Sequence, residues 1–338
     1  MTGTATARSH PNIALAKYWG KRAGDGNFPA VPSLSVTLSG LSTTTRVSFR
    51  REFAADVLVL NGENATGEPL ARASRLLERV RVASGRPLFA EVISDNDFPT
   101  AAGIASSASG FAALALAATH AAALEWDVAR VSDLARQSSA SAARSLFGGF
   151  VELDVGASSA RQVAPCDQLD LRVLVCIMGE GKKKDVGSTD GMLATAAKSP
   201  YYAAWLAQAP ASFRALREAL LARDFVKVGE LSEASALAMH ASAIAAGVVY
   251  FGAATLDALA AVRALRAKGT PAFATMDAGP HVKVLTRTED AALVATWMSA
   301  IPGVSRVIEA RPGDAAKIEA TSLPLATRPS PFPHDGAP

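Results

Sequence analysis

Cysteine is almost absent from the sequence, and neither sign of charge dominates it. The two cysteines, Cys166 and Cys176, lie in or beside apolar stretches and provide neither the spacing of a metal site nor a disulfide framework. The 34 basic and 31 acidic side chains leave a formal net charge of only +3. Because the basic residues are also spread along the chain, nucleic acid is a poor candidate ligand and a small anionic molecule is a better one.

Long apolar segments are missing as well. No uninterrupted apolar run is long enough to span a bilayer, and residues 1–10 lack the apolar centre of a secretory signal. We therefore expect a cytoplasmic protein without a membrane segment. With 49% hydrophobic and 19% charged residues, the 338-residue chain has the composition of a globular protein with a large core, and its length favours two domains or two packed lobes.

The common glycine-rich phosphate motifs are also absent, since there is no Walker loop and no Gly-x-Gly-x-x-Gly pattern. Instead, a small-residue loop at 94–110 leads into the Ala- and Leu-rich stretch 111–119, which is predicted to be helical. The free N–H groups and positive dipole end of such a helix, with the hydroxyls of Ser106, Ser107 and Ser109, favour a phosphate. A serine-capped core helix is the alternative, and this stretch alone does not decide between the two.

Strands and helices are mixed without a regular βα alternation, which indicates an α+β fold rather than a doubly wound sheet. β-Branched content and alternation predict strands at 34–39, 43–50 and 56–60, and further strands are predicted at 87–93, 271–276 and 304–308. The stretch 146–153 is predicted to be a Gly-Gly turn and a strand, and the continuous apolar run 171–178 to be a buried strand. Helical periodicity predicts these helices: 68–84, 111–119, 128–138, 188–268 with breaks near Pro200, Asp224 and Gly247, and about 290–299.

Three polar segments have two interpretations each. Lys17 and Lys21 lie among aromatic residues, which suits an anionic ligand, but an edge strand with solvated lysines has the same pattern. Arg144 follows several serines and either binds phosphate or carboxylate or satisfies local carbonyl groups. Asp277, at a strand end, is either a turn residue or a buried catalytic carboxylate.

Two other polar features favour a structural interpretation. The lysines of the loop at 179–185 are expected to be solvated. His240, on a predicted helix, is expected to be a packed side chain rather than a catalyst.

Taken in order, these segments resemble the mevalonate diphosphate decarboxylases, members of the small-molecule kinase superfamily that includes galactokinase, homoserine kinase, mevalonate kinase and phosphomevalonate kinase. The resemblance runs from residue 12 to about 285. Its elements specific to the decarboxylases are Lys-Tyr-Trp-Gly-Lys at 17–21 and Asp-Ala-Gly-Pro at 277–280, whereas the serine-rich loop is shared with the kinases. The other matching stretches are 12–14, 33–38, 98–107, 139–149 and 188–192.

The resemblance implies a two-lobed α+β fold with one cleft between the lobes. The N-terminal lobe is expected to be ribosomal-protein-like and the C-terminal lobe ferredoxin-like. We place the first at 1–185 and the second at 186–323, and we expect a disordered tail at 324–338.

The resemblance also implies a reaction. ATP phosphorylates the C3 hydroxyl of mevalonate 5-diphosphate, phosphate leaves, and loss of carbon dioxide gives isopentenyl diphosphate. Asp277 matches the residue that positions or deprotonates the hydroxyl, and Ser107 matches a serine near the transferring phosphate. Arg144 matches the arginine that holds the substrate carboxylate, and Asn12 matches a residue that keeps this arginine in place.

The remaining matches concern binding, and magnesium is expected with ATP although no residue is assigned to the metal. The residues that match the pocket for the substrate diphosphate are Tyr18, Lys21, Ser139 and Ser141, beside Arg144. Those that match the ATP side are Ser94, Asn96, Gly103, Ala105, Ser106 and Ser107. A homodimer is usual in the family and is therefore expected.

The sequence departs from the family pattern at three positions near these residues. Ser138 and Ala140 replace glycines in the turn before Arg144, and His281 replaces an asparagine and can add charge beside Asp277.

Three alternative functions are weighed against the leading one. A sibling decarboxylase would use mevalonate 5-monophosphate. A kinase without decarboxylation is disfavoured because such relatives lack an equivalent of Asp277. A catalytically silent nucleotide-binding regulator is disfavoured because it has no reason to keep Asp277, Arg144, Ser107 and Lys21 together.

Overall fold

The computed structural model describes residues 3–24, 26–98, 106–179 and 186–320. Within these ranges the strands are β1 (Gly3–Ser9), β2 (Asn12–Ala16), β3 (Ser33–Ser39), β4 (Thr43–Arg50), β5 (Val57–Leu60), β6 (Glu63–Ala65), β7 (Phe89–Asn96), β8 (Phe150–Leu153), β9 (Arg161–Ala164), β10 (Arg172–Met178), β11 (Ala272–Met276), β12 (Val282–Thr286), β13 (Val304–Pro312) and β14 (Lys317–Glu319). The helices are α1 (Glu68–Ser84), α2 (Ser106–Ala121), α3 (Val128–Ser138), α4 (Ser188–Lys198), α5 (Tyr202–Leu221), α6 (Phe225–Ile244), α7 (Ala253–Ala267) and α8 (Ala291–Ser299), with a 3-10 turn at Arg144–Leu146.

The strands form two sheets. The first has the order β14-β1-β4-β7-β5-β6 and is antiparallel except where β5 pairs with β7. The second has the order β11-β12-β10-β13-β3-β8-β9, with β2 as an additional partner of β3. This mixture of antiparallel sheets and helices confirms the α+β class.

The first sheet is covered by α1, α2 and α3. Leu76 and Leu77 of α1 and Leu134 of α3 are fully or almost fully buried in the same cluster as Val47 and Val92 of the sheet. The alanines on α2 are mostly buried, and their small side chains let this helix pack closely on β1 and β4. Because α2 begins at Ser106, this packing fixes the end of the helix that follows the serine-rich loop.

The second sheet is covered on both faces. Phe213 and Leu216 of α5 pack with Ile13 and Leu34, while Val262 of α7 belongs to a separate cluster with neighbouring parts of α8, β10, β11 and β12. A strand buried on both faces is apolar along its whole length, which explains the continuous run of β10.

Most predicted elements are confirmed to within a few residues, and the bounds of α1 and α3 agree with the prediction. β2 and β12 were not among the predicted strands, and β13 continues to Pro312 rather than ending at 308. The short strands β1, β6, β9 and β14 were not predicted either, because their sequences have weak strand signals and their conformation depends on pairing with neighbours, as for β1 between β14 and β4.

The second sheet crosses the lobe boundary expected at 185/186. β10, on the N-terminal side of that boundary, pairs with β12 and β13. The domain limits therefore stay a prediction, and the loop lysines at 182–184 and the tail at 324–338 lie outside the described residues. Among the described helices, none combines the length and the apolar content needed to cross a bilayer.

Replacing Gly229 by alanine tests the packing of α6 on β11. A Cβ at this position would overlap the Phe273 ring, so we expect a loss of about 1–3 kcal/mol in the free energy of unfolding, measured in urea. Gly110→Ala on α2 is the matched control, since a Cβ there meets nothing within 4 Å and should stabilise the helix by about 0.5–1 kcal/mol. Equal effects of the two substitutions would contradict the described packing.

Candidate active site

Asp277 lies between two buried lysines where three strands end or begin. Lys17 directly follows β2, Asp277 directly follows β11, and Lys283 is the second residue of β12. The Nζ of Lys17 is 2.7 Å from Oδ1 of Asp277, and the Nζ of Lys283 is 3.1 Å from Oδ2. The lysine side chains are 1% and 2% exposed, whereas that of Asp277 is 30% exposed. The carboxylate is therefore the part of this cluster that faces solvent.

The cluster changes the protonation of its members. Burial would raise the pKa of Asp277, but Lys17 and Lys283 outweigh it and hold that pKa far below its usual range. Burial lowers the pKa of Lys17 to about 8, although Asp277 opposes the shift. Asp277 is thus an ionised carboxylate and a weak base, and within the described ranges the contacts of its side chain are with two lysines rather than with backbone N–H groups.

Arg144 is a buried cation whose direct partners are neutral. Its Nε donates to the Oγ of Ser35 at 3.0 Å, its Nη1 to the Oγ of Ser33 at 2.8 Å, and its Nη2 to the Oδ1 of Asn12 at 3.4 Å. The residue is 2% exposed. Burial lowers the pKa of Arg144 to about 10. Among the described residues no local carbonyl accepts from this guanidinium, so the structural alternative for Arg144 is wrong.

Asn12 fixes both Arg144 and the turn that precedes it. Its amide nitrogen donates to the Ser141 carbonyl at 2.9 Å and to the Ser145 hydroxyl at 2.7 Å, and its amide oxygen accepts from Arg144. Ser139 and Ser141 face one another with 3.0 Å between their hydroxyl oxygens. No residue from 138 to 143 has a positive φ, so this turn does not need the glycines that Ser138 and Ala140 replace.

A second group of cations lies around Lys21. Its Nζ donates to the Asn27 amide oxygen at 2.8 Å and the Thr189 hydroxyl at 3.1 Å. Burial and the nearby Arg72 guanidinium lower the pKa of Lys21. Tyr18 has a buried hydroxyl without a hydrogen-bond partner among the described residues, and burial raises its pKa. An orphaned hydroxyl and two adjacent cations are suited to an incoming phosphate.

Ser94 and Asn96 belong to a different polar cluster, at the junction of β4, β7 and α2. The Ser94 hydroxyl lies 2.8 Å from that of Thr45, and the Asn96 amide oxygen accepts from Thr43 at 2.6 Å. Thr43 also contacts Ser109 on α2. Ser106 is half-buried and Ser107 is exposed in the first turn of α2. Gly103 and Ala105 lie outside the described residues.

His281 does not add charge beside Asp277, contrary to the expectation. Its Nδ1 accepts the backbone N–H of Met178 at 2.9 Å. This ring nitrogen is therefore engaged by β10 and is not a donor toward Asp277.

Sequence reasoning left three cations out of the candidate site: Lys17, Arg72 and Lys283. Lys17 was noticed in an apolar, aromatic segment, and its burial excludes the interpretation as a solvated lysine on an edge strand. Lys283 had a weak signal, since it alternates with Val282 and Val284 on a buried strand. Arg72 had none, because a basic residue on an amphipathic helix is ordinary.

Two family models match the chain. The diphosphomevalonate decarboxylase-like N-terminal domain matches residues 9–164, and the mevalonate 5-diphosphate decarboxylase C-terminal domain matches residues 173–323. Together they contain every residue of the candidate site.

Curated relatives agree with these models. The diphosphomevalonate decarboxylase of Candida albicans is 35% identical over 303 residues, covering 83% of this chain and 83% of the relative. The phosphomevalonate decarboxylase of Haloferax volcanii is 34% identical over 292 residues, covering 84% of this chain and 89% of the relative.

Solved structures agree as well. Mevalonate diphosphate decarboxylase from Staphylococcus aureus superposes with a TM-score of 0.89 at 33% identity, covering 95% of this chain and 99% of that one. A structure described as MDDEF in complex with MVAPP, AMPPCP and magnesium has a TM-score of 0.89 at 36% identity, covering 95% and 100%. The two-lobed α+β fold is thus that of the small-molecule kinase superfamily. Within it, the chain belongs to the diphosphomevalonate decarboxylase family.

The buried His240 gives the fold a measurable pH dependence. It packs against Phe251 with 4.4 Å between ring centroids, and burial, with a contribution from Lys17, lowers its pKa to about 4. Because the unfolded imidazole has a pKa near 6.5, only the unfolded state gains this proton between pH 6.5 and 4, and stability falls as the pH falls. Urea unfolding should show a loss of up to about 3 kcal/mol over this range that is absent in His240→Met.

The exposed His120 provides the control for this measurement. His120→Gln should keep the pH dependence of the wild type. If His240→Met keeps it too, His240 is not its source.

Proposed function

We propose that the chain catalyses the ATP-dependent decarboxylation of mevalonate 5-diphosphate to isopentenyl diphosphate, ADP, phosphate and carbon dioxide. The C3 oxygen bonds to the γ-phosphorus of ATP as the bond from that phosphorus to ADP breaks, and the hydroxyl proton passes late in the transfer to the Asp277 carboxylate and from there to water. The C3–O bond then breaks and its electron pair leaves with phosphate, while the electrons of the bond to the carboxylate form the new double bond as carbon dioxide leaves. Family membership supports this reaction, and the arrangement around Arg144 and Asp277 supplies a physical reason for it.

The main support for the proposal is the buried guanidinium of Arg144, which among the described residues has no anionic group in direct contact. A guanidinium has five N–H donors, and Arg144 uses three of them on Ser33, Ser35 and Asn12. The remaining donors can hold a carboxylate, which would restore favourable electrostatics to a desolvated cation. In the proposal this is the carboxylate that the substrate loses, and Arg144 fixes the orientation of its scissile bond.

Asp277 orients the C3 hydroxyl. Its carboxylate is the partly exposed member of the cluster and can accept the hydroxyl hydrogen bond. With a pKa held so low it is a weak base, so we assign it alignment of the oxygen with the γ-phosphate rather than early removal of the proton. The adjacent ammonium groups stabilise the negative charge that develops on that oxygen.

The diphosphate of the substrate occupies the pocket around Lys21 in this proposal. Tyr18 offers its unpartnered hydroxyl, Ser139 and Ser141 offer theirs, and Lys21 supplies charge. Arg72 extends this positive region, since its guanidinium donates to the Ser138 carbonyl at 2.9 Å. A pocket with two cations is better matched to a diphosphate than to a single phosphate group.

ATP occupies the side formed by Ser94, Asn96 and the start of α2 with Ser106 and Ser107. Gly103 and Ala105, which lie outside the described residues, are expected from the family resemblance to contribute to the same phosphate cradle. The N-terminal end of α2 fits a phosphate, and the relative with bound AMPPCP and magnesium supports both ligands. Within the described residues no group of three His, Cys, Asp or Glu side chains could hold a metal. Magnesium would arrive with ATP, because phosphate and water oxygens supply most of its ligands, and it neutralises charge on the phosphates.

The cytoplasmic location and the homodimer stay predictions. The dimer follows from family membership and is checked by sedimentation velocity of the full chain.

The reaction is tested by measuring ADP and trapped carbon dioxide from mevalonate 5-diphosphate and, separately, from mevalonate 5-monophosphate. We expect equal amounts of both products with the diphosphate and little turnover of the monophosphate. Products only with the monophosphate would move the chain to the activity named for its Haloferax relative. No turnover of either would favour a nucleotide-binding regulator.

The role of Asp277 is tested by Asp277→Asn in the same assay. Loss of the charge that aligns the hydroxyl should lower kcat by roughly 10²- to 10⁴-fold. Asp170→Asn, at an exposed carboxylate, should keep the wild-type rate, and circular dichroism checks that both variants are folded. A folded Asp277→Asn variant with wild-type kcat would exclude this role.

The role of Lys21 is tested by Lys21→Met. Loss of one charge-assisted contact to phosphate costs about 1.5–3 kcal/mol, so KM for mevalonate 5-diphosphate should rise roughly 10- to 100-fold with a smaller change in kcat. The exposed Lys198 supplies the control, Lys198→Met. An unchanged KM for Lys21→Met would separate Lys21 from the substrate pocket.

A further inference from the structure

The cluster around Asp277 contains more positive charge than the fold needs. One carboxylate can pair with one ammonium, yet Asp277 is contacted by Lys17 on Oδ1 and by Lys283 on Oδ2. Both lysine side chains are almost completely buried. Among the described residues the ion pairs of Lys17 and Lys283 are with Asp277 alone. The three side chains therefore carry a net charge of +1.

A surplus buried ammonium does not stabilise a protein. Its desolvation is unfavourable, and its attraction to Asp277 is offset by repulsion from Lys17. A methionine at position 283 could fill similar space among the apolar residues of β12 without this penalty. The benefit of the second lysine therefore has to lie outside the stability of the fold.

The geometry suggests what the benefit is. Lys17 lies 2.7 Å from Oδ1 and Lys283 lies 3.1 Å from the buried Oδ2, so an ammonium group attracts each oxygen, and this disfavours rotation of the carboxylate about its Cβ–Cγ bond. Lys283 is itself fixed by its strand, because β12 pairs on one side with β10 and on the other with β11. A charge held this rigidly does not have to reorganise when negative charge develops beside it.

We propose that Lys283 is a positioning residue for phosphoryl transfer, which fixes Asp277 through its Oδ2 and supplies the positive charge that this carboxylate leaves uncompensated. The inference rests on the proposed decarboxylation for its kinetic consequences. The statement that the fold does not need Lys283 for stability is independent of the proposed decarboxylation. Unfolding measurements therefore test this statement separately from the kinetics.

The kinetic consequence includes a pH effect on Lys17. Lys283 contributes to the lowered pKa of Lys17, so its removal should raise that pKa above about 8. Titration of Lys17 should make kcat/KM change with pH near pH 8. In the variant this change should occur at higher pH, whether the charged or the neutral form of Lys17 is the active one. The other titratable or charged groups around the pair are Asp277 after β11, Arg144 in the 3-10 turn, His240 on α6, Tyr18 after β2 and Cys176 on β10.

The test compares Lys283→Met, Lys283→Arg and the wild type in ADP release across pH 6 to 10 and in thermal unfolding at pH 7. Lys283→Met should lower kcat by roughly 10²-fold with little change in KM for either substrate. The pH at which kcat/KM changes through titration of Lys17 should be higher than in the wild type. The unfolding temperature of Lys283→Met should be no lower than that of the wild type. Lys283→Arg, which keeps the charge, should recover part of kcat and return this pH toward its wild-type value.

Arg81→Met is the matched structural control. Arg81 forms an ion pair with Asp56, a carboxylate that is 4% exposed, so its removal leaves a buried charge and should lower the unfolding temperature without altering the pH dependence of kcat/KM.

Two results would overturn the proposal. One is Lys283→Met with wild-type kcat and an unaltered pH dependence of kcat/KM. The other is Lys283→Met that loses thermal stability as Arg81→Met does, since Lys283 would then be needed for the fold. A wild-type chain that makes no ADP or carbon dioxide contradicts the proposed function instead, and the comparison of unfolding temperatures still decides whether Lys283 is surplus to stability.

Discussion

The structure depends on placing one partly exposed carboxylate, that of Asp277, between two buried ammonium groups. Asp277 and Lys17 are separated by 260 residues and meet only because β2 and β11 end beside one another. α6 contributes to this meeting, since the Ser235 hydroxyl accepts the Lys17 backbone N–H at 3.0 Å. α6 also holds β11 through Glu233, which accepts from the Ala274 backbone N–H at 2.7 Å. The central charges thus require correct assembly of both ends of the chain.

The same constraint explains why neutral groups surround the other central cation. If Arg144 were paired with a protein carboxylate, an anionic ligand would have to compete with that partner. Ser33 and Ser35 orient the guanidinium without neutralising it, and Asn12 links it to the turn at Ser141. The fold thereby keeps an unfavourable electrostatic situation that a bound anion relieves. The unpaired guanidinium lowers the stability of the unliganded protein, and a bound anion would offset this loss.

The sequence predicted the parts of the molecule that depend on local chemistry. Helical periodicity was sufficient for α1 and α3, and the apolar run of β10 was sufficient for a buried strand. β1 and β14 could not be predicted, since their conformation depends on pairing between the two ends of the chain. At the site, the serines before Arg144 were visible as a pattern. The contact of Lys283 with Asp277 was not, because a lysine on a strand is normally solvated and only the register with β11 shows that this one is buried.

The distribution of charge also distinguishes the polar cluster at the junction of β4, β7 and α2 from the cluster around Asp277. The cluster at that junction contains neutral groups that bond in pairs, Ser94 with Thr45 and Asn96 with Thr43, so these groups are satisfied without a ligand and can present a fixed surface. The cluster around Asp277 contains one cation in excess, whereas near Lys21 and Arg72 the carboxylates of Asp190 and Glu68 offset part of the positive charge. In the proposed function the phosphorylated substrate binds where positive charge is uncompensated, because its negative charge is favourable there. The neutral cluster suits the less charged parts of a nucleotide, so the proposed placement of the two ligands follows the distribution of charge.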